Sequence, residues 1–184
     1  MSRILTVSGS PSVVSRSAKL LDHVSRSLVR SGHDVTHLNL RDLPAEALLH
    51  ARFDDPAIIE AARQLELADG VVVATPVYKA AYTGLLKAWL DLLPQYALTD
   101  KTVLPLATGG SVAHALALDY GLRPVLSSMG ARHIVQGFLV VDRYLETSPT
   151  GVLTIDAEVQ PGLTAVVDGF LAALPAPVVA RLSA

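Results

Sequence analysis

The sequence contains no cysteine, and this absence excludes several kinds of chemistry. Without thiols, the chain forms no disulfide bond, no thiolate metal site, no thiol redox couple and no cysteine nucleophile. Charged residues are also scarce, since they make up 17 % of the 184 residues, against roughly 25 % in ordinary globular domains. Because apolar residues reach 51 %, we expect part of the surface to be buried against another chain.

Membrane-spanning and nucleic-acid-binding patterns are absent as well. No apolar run approaches the roughly eighteen residues that cross a bilayer, and no signal-peptide core follows Met1. Fifteen basic and seventeen acidic residues leave a formal charge of −2 without a basic cluster, and the histidines show no metal-ligand spacing. We expect one soluble, cytoplasmic domain over residues 1–184, with no metal, membrane or nucleic acid among its partners.

Short apolar runs alternate with segments of helical periodicity along the chain. The runs predict strands at residues 4–8, 35–40, 71–74, 101–107 and 134–141. The periodicity predicts helices at residues 18–29, 57–67, 85–93, 113–129 and 163–174, while residues 142–160 are weakly patterned. Five strands that alternate with helices predict a doubly wound parallel sheet with right-handed crossovers. Ligands of such sheets bind beyond the carboxyl ends of the strands, so the loops at residues 8–17, 75–84 and 108–114 are the candidates.

The first of these loops is rich in serine and contains Arg16 where a helix begins. Hydroxyls, free amides and the positive end of a helix dipole suit a phosphate group. An ordinary capped serine loop is the alternative. The loop lacks the Gly-Lys-Ser/Thr ending of a nucleoside-triphosphate loop and the G-x-G-x-x-G pattern of dinucleotide binding, which disfavours both of those ligands.

The other two loops contain aromatic residues and glycines. Pro76, Tyr78, Lys79 and Tyr82 follow the third strand, and a flat ring can lie against such a turn, although tyrosines there also simply cover a sheet end. Gly109 and Gly110 follow the fourth strand and allow close approach of a ligand to the backbone, as a plain glycine turn also would. Together the three loops predict a pocket for a phosphate ester that carries a planar ring.

Several segments of the sequence resemble one enzyme family. They are residues 9–11 (GSP), 15–17 (SRS), 51–54 (ARFD), 74–82 (ATPVYKAAY), 104–110 (LPLATGG) and 112–114 (VAH). Across residues 4–137 the chain resembles the NADPH-dependent FMN reductases of the flavodoxin-like superfamily, in particular the reductase component of two-component alkanesulfonate monooxygenase systems. The resemblance implies a flavodoxin-like α/β three-layer sandwich with a five-stranded parallel sheet in the order 2-1-3-4-5.

The resemblance also implies roles for individual residues. It assigns the FMN phosphate to Ser10, Ser15, Arg16 and Ser17, the isoalloxazine to Pro76, Val77, Tyr78 and Lys79, and the other edge of the ring to Thr108, Gly109, Gly110 and Ser111. Tyr120 matches a tyrosine of a π-helical bulge at a tetramer interface, near the flavin site of a neighbouring subunit; the alternative is a plain interface or core aromatic. For His114, at the start of the same helix, a bond to the backbone is favoured over a part in hydride transfer.

The implied reaction is hydride transfer from NADPH, or from NADH as the alternative donor, to FMN. Reduced FMN then leaves for a partner flavin-dependent monooxygenase, with organosulfonate desulfonation as the expected context. The cofactors perform the redox step, so no catalytic side chain is assigned. The alternatives are a quinone, azo-dye or metal-oxyanion reductase with tightly bound FMN and an electron carrier like flavodoxin, which the charge of −2 disfavours.

Residues 85–93 show a broad apolar stripe that includes Trp89. Packing against the sheet explains part of its width, and a partner subunit would explain the rest. We therefore expect a homodimer or homotetramer in which this helix and the helix bearing Tyr120 form the subunit contacts.

Overall fold

The computed structural model describes residues 1–175. Its strands are β1 (Arg3–Ser8), β2 (Asp34–Asn39), β3 (Gly70–Pro76), β4 (Thr102–Gly109), β5 (His133–Ile134), β6 (Phe138–Val141), β7 (Leu145–Thr147) and β8 (Leu153–Ile155). Its α-helices are α1 (Arg16–Arg30), α2 (Ala45–Leu49), α3 (Pro56–Leu67), α4 (Gly84–Leu90), α5 (Arg123–Ser128) and α6 (Gln160–Ala173). Residues 176–184, the end of the predicted domain, lie outside the described residues.

The main sheet is parallel and has the order β2-β1-β3-β4-β5, with β6 also paired to β4. This arrangement confirms the predicted flavodoxin-like order 2-1-3-4-5. The central strands β3 and β4 are almost wholly buried, as expected of β-branched and apolar runs that helices cover on both faces. One apolar layer joins the sheet to α1 and α6, and the other joins it to α2, α3, α4 and α5.

The fifth strand is interrupted where the sequence predicts a continuous run over residues 134–141. Val103 pairs with Ile134 and Leu106 with Phe138, so two residues of β4 face three residues of its neighbour. Pro105 lies opposite this extra residue and has no N–H to offer the ladder. The Arg123 guanidinium donates instead to the carbonyls of Ile134 and Val135, at 2.8 and 3.0 Å. The bulge therefore replaces ladder bonds with side-chain bonds.

The helix predicted over residues 113–129 is divided into three parts. A 3₁₀ turn (Val112–Ala115) leads into a π-helical segment (Ala117–Leu122), and α5 follows. Pro124 has no N–H to give to the carbonyl of Tyr120, four residues earlier, so the α-helical pattern cannot pass through this point. The Arg123 N–H bonds to the carbonyl of Leu118, five residues back, which is the π-helical spacing. The π-helical bulge expected around Tyr120 is thus present.

Two further regions differ from the sequence expectation. Residues 142–160 hold a 3₁₀ turn (Asp142–Tyr144) and the antiparallel hairpin of β7 and β8, and α2 is a short helix that periodicity did not predict. The apolar stripe at residues 85–93 packs mainly within the chain, where Leu86, Trp89, Leu90, Leu92 and Leu93 are all buried. Its expected contact with a partner subunit stays a prediction. Among the described residues, no helix is long and apolar enough to cross a membrane.

Candidate functional site

A cavity of about 170 Å³ opens at the carboxyl edge of the sheet, and the three predicted loops line it. Its predicted lining residues are Ser10, Ser15, Arg16, Pro76, Val77, Tyr78, Thr108, Gly109 and Gly110. Three other lining residues had no individual assignment: Ser12 and Val14, which lie within the predicted first loop, and Asp142, which lies outside the three loops. The predicted residues Ser17, Lys79, Ser111 and Tyr120 do not line this cavity. The fold thus brings together most of the residues that were assigned to one ligand.

The first loop ends at the start of α1 and presents buried hydroxyls there. Ser15 is the N-cap of the helix, and its Oγ accepts a hydrogen bond from the Ala18 N–H at 3.1 Å. The Ser17 side chain is fully buried, and its Oγ lies 3.0 Å from the Ser15 Oγ, so it orients that hydroxyl from behind. The Ser10 Oγ accepts from the Ser12 N–H at 3.2 Å. Since the first amides of a helix have no intrahelical partner, this end of α1 is suited to an anion.

Backbone and side-chain hydrogen bonds tie the three loops to one another. The Gly9 N–H donates to the Ala74 carbonyl at 2.8 Å, and the Thr83 hydroxyl donates to the Gly9 carbonyl. The Val77 N–H donates to the Thr108 carbonyl at 2.8 Å, which joins the second loop to the third. The loops therefore form one frame whose backbone is held from both sides.

The second loop makes a tight turn with a strained backbone. Tyr78 and Ala81 exchange both backbone hydrogen bonds, at 2.9 and 3.1 Å. The two residues between them, Lys79 and Ala80, have φ values of +51° and +63°. Side chains other than glycine seldom adopt this region, and clusters of such strain accompany ligand sites. The turn puts Lys79 at an exposed tip and aims the backbone before it at the cavity.

The third loop contains two glycines, and at Gly109 the backbone lies close to the side chains of His114 and Val77. A Cβ on Gly109 would lie 3.0 Å from the His114 Nδ1 and 3.5 Å from the Val77 Cβ, whereas one on Gly110 would meet no atom within 4 Å. Gly110 therefore leaves open space in front of the backbone. Ser111 faces away from the cavity, because its Oγ accepts from the Ala113 N–H and caps the 3₁₀ turn.

His114 lies directly behind the glycine turn. Its backbone N–H donates to the Ser111 carbonyl at 3.1 Å, as in any helical turn, so the expected bond from its side chain to the backbone stays a prediction. The Nδ1 of its ring is buried and has no hydrogen-bond partner within residues 1–175. The ring packs against Gly109, so it supports the loop that borders the cavity.

Tyr120 is 79 % exposed and lies on the π-helical segment, outside the cavity of its own chain. The segment nevertheless contacts the second loop, since a Cβ on Gly121 would be 3.7 Å from the Tyr82 ring. The predicted helical geometry of this residue is therefore confirmed, while its contact with flavin stays a prediction.

The residues at this edge fit a flavin mononucleotide. Arg16 and the buried serine hydroxyls surround the free amides of α1, which is the donor set that a phosphate ester requires. Pro76, Val77 and the open backbone of Gly110 leave an unobstructed border for a flat ring. Among residues 1–175 there is no group of three or more acidic or histidine side chains that would hold a metal.

Comparison with known proteins agrees with this geometry. The family model for NADPH-dependent FMN reductase matches residues 2–146. The chain is 53 % identical over 140 residues to the FMN reductase (NADPH) of Escherichia coli K12, covering 76 % of this chain and 73 % of that protein. It is 50 % identical over 139 residues to the FMN reductase (NADPH) of Pseudomonas putida KT2440, covering 76 % and 71 %. The solved apo structure of an NADH:FMN oxidoreductase (EMOB) has a TM-score of 0.86 at 46 % identity, covering 96 % and 92 %.

Proposed function

Because the chain belongs to the NADPH-dependent FMN reductase family, we propose that it transfers a hydride from NADPH to FMN and releases reduced FMN. NADH is the alternative donor, as the similar oxidoreductase of known structure is named for NADH. The observation that carries the proposal is the cavity in which Arg16, the serine hydroxyls and the glycine loop meet at the start of α1.

The phosphate of FMN binds at the start of α1. Ser10 and Ser15 supply hydroxyls, the first amides of the helix supply backbone donors, and Arg16 supplies a positive charge. Ser17 does not itself contact the phosphate. Its hydroxyl forms a hydrogen bond with the Ser15 hydroxyl and so orients it. A phosphate dianion in this position also gains from the helix dipole.

The isoalloxazine lies between the second and third loops. Pro76, Val77 and Tyr78 border one edge of the ring, and Thr108, Gly109 and Gly110 border the other. Lys79 and Ser111 adjoin these two sets without lining the cavity. When bound, FMN accepts the hydride on its ring, and the protein contributes orientation and exclusion of water. The two backbone hydrogen bonds between Tyr78 and Ala81 and the packing of the His114 ring against Gly109 hold this frame in place. No side chain is assigned as an acid or base.

Reduced FMN passes to a flavin-dependent monooxygenase in the cytoplasm. We propose that this monooxygenase desulfonates organosulfonates, and the resemblance of the sequence motifs alone supports this part of the proposal. The protein itself assembles as a homodimer or homotetramer. Exposed apolar side chains on the segment that follows β4, namely Val112, Leu116 and Tyr120, support this assembly. Tyr120 then lies at a subunit junction and contacts the flavin site of the neighbouring copy.

Steady-state oxidation of NADPH and NADH with added FMN, FAD and riboflavin tests the proposed activity. We expect a protein that purifies without colour and oxidises NADPH with saturable dependence on FMN. A yellow protein that retains FMN through purification and reduces quinones by ping-pong kinetics would favour the alternative reductase. A protein inactive with all three flavins would refute the proposal. Light scattering on the same preparation measures the subunit number.

A further inference from the structure

One carboxylate lies in the same cavity as the groups proposed to hold the phosphate. Asp142 directly follows β6, whose last residue, Val141, pairs with Gly109 at the end of β4. This register puts Asp142 beside the glycine loop and opposite the start of α1. The Asp142 Oδ2 lies 3.8 Å from the Arg16 Nη1, across the cavity.

Arg16 and Asp142 are the charged residues among those that line the cavity, and their charges cancel. A phosphate monoester carries about −1.5 to −2 charges at neutral pH. The cavity therefore offers hydroxyls, amides and a helix dipole to this anion, but no net positive charge from its side chains.

The contact between the two side chains is loose. Its length of 3.8 Å exceeds the roughly 2.7–2.9 Å of a charge-assisted hydrogen bond, and the Arg16 and Asp142 side chains are 57 % and 37 % exposed. Within residues 1–175, Arg16 makes no side-chain hydrogen bond, so its donors remain available to an incoming anion. If a phosphate replaces Asp142 as the partner of Arg16, no ordered hydrogen-bond network is broken.

We propose that Asp142 competes with the flavin phosphate for Arg16 and repels the bound dianion, so that FMN binds less tightly and exchanges faster. Asp142 thereby tunes affinity for the phosphorylated end of the flavin without contact to the reacting ring. This inference rests on the proposed binding of FMN at the start of α1. It gives a reason within one subunit for flavin to behave as an exchanging substrate.

The test is Asp142→Asn, which keeps the shape of the side chain and removes its charge. Glu146→Gln is the matched control, because Glu146 lies four residues further on, is exposed and does not line the cavity. Dissociation constants for FMN and riboflavin come from quenching of flavin fluorescence, and release rates from stopped flow. For Asp142→Asn we expect an FMN dissociation constant lower by about two- to fivefold, the range that partly exposed ion pairs support.

The expected release of FMN from Asp142→Asn is correspondingly slower, whereas riboflavin binding stays at the wild-type value. The gain in FMN affinity shrinks in high salt, because salt screens exposed charges. In an Arg16→Gln background the effect of Asp142→Asn is smaller, since only the direct repulsion remains. Glu146→Gln binds both flavins as the wild type does.

Three results would overturn the proposal. FMN affinity equal to that of Glu146→Gln would show that the carboxylate does not act on the phosphate. Weaker FMN binding would show that Asp142 holds Arg16 in place instead. Weaker binding of both flavins with a lower melting temperature would show a structural role. Failure of the wild-type protein to bind FMN in the same titration would refute the proposed function itself.

Discussion

The phosphate site proposed at the start of α1 leads to a quantitative prediction about two flavins that differ only in the phosphate. Replacement of Ser15 and Arg16 together by alanine removes one buried hydroxyl and one guanidinium from the cavity. FMN loses both contacts, whereas riboflavin has no phosphate to lose. We therefore expect the double variant to bind FMN much more weakly than the wild type and to bind riboflavin almost unchanged.

The size of the effect follows from the exposure of each group. Ser15 is buried, and a buried hydrogen bond to a charged group contributes about 1.5–3 kcal/mol. The Arg16 side chain is 57 % exposed, so its ion pair with the phosphate contributes about 0.2–1 kcal/mol. The sum of about 2–4 kcal/mol corresponds to a dissociation constant for FMN that is roughly 30- to 1000-fold higher.

Ser15 is also the N-cap of α1, so its loss has a second effect. Removal of an N-cap side chain costs about 1 kcal/mol of the free energy of unfolding. Asp55→Ala is the matched control, because the Asp55 Oδ1 caps α3 by accepting from the Ala57 N–H at 2.9 Å, away from the cavity. We expect this control to be destabilised to a similar extent and to bind FMN normally.

Fluorescence titration with FMN and with riboflavin, together with thermal unfolding of each variant, measures these quantities. Equal losses of affinity for the two flavins would refute the assignment of the phosphate to α1. A comparable loss of FMN affinity in Asp55→Ala would attribute the effect to general destabilisation rather than to the lost contacts.

Three other predictions concern the glycine loop, the π-helical segment and acid stability. Gly109→Ala places a Cβ 3.0 Å from the His114 Nδ1. We expect this overpacking to lower the free energy of unfolding by about 1–3 kcal/mol in thermal unfolding and to raise the KM for FMN. An unchanged KM would show that this loop does not contact the flavin. Tyr120→Ala should purify yellow and release flavin slowly in stopped flow, whereas a colourless variant with unchanged turnover would contradict the proposed role. Hydrogen bonds from Arg63 and Gln64 lower the pKa of Glu60 from 4.5 to about 2. The stability that Glu60 adds relative to Glu60→Gln is therefore full above pH 4.5 and disappears as pH falls towards 2; a difference that persists at pH 2 in acid titrations would contradict this assignment.

Some deviations from the sequence predictions have causes that are visible in the sequence itself. Pro124 forces the break between the π-helical segment and α5, and Pro105 accompanies the bulge beside β4. Hydrophobic periodicity alone does not indicate these interruptions, because it depends on the spacing of apolar residues and not on which residues lack a backbone N–H. A search of each predicted element for prolines and their lost hydrogen bonds would have found these two interruptions.

Other deviations had no local signal. The apolar stripe around Trp89 is wide enough to pack against both the sheet and a partner subunit. In the structure, α4 packs between the sheet and the short helix α2, which periodicity did not predict. The width of an apolar face is a property of the sequence, whereas the number of elements that cover it depends on how distant segments pack. Of the two segments expected to form subunit contacts, the one bearing Tyr120 leaves large apolar side chains exposed, namely Leu116 and Tyr120.

The sequence by itself determined the alternation of strands and helices and the three loops of the cavity. These features follow from local patterns: the apolar run of β3, the serines before α1, and the paired glycines after β4. Only the tertiary structure decided that Asp142 faces Arg16 and that Ser17 supports Ser15 from behind rather than lining the cavity. The contact between Asp142 and Arg16 depends on the register of β6 against β4, which the bulge at Pro105 shifts by one residue. Pro105 indicates that the pairing is interrupted, but the residues that pair beyond the interruption are set by packing between distant segments.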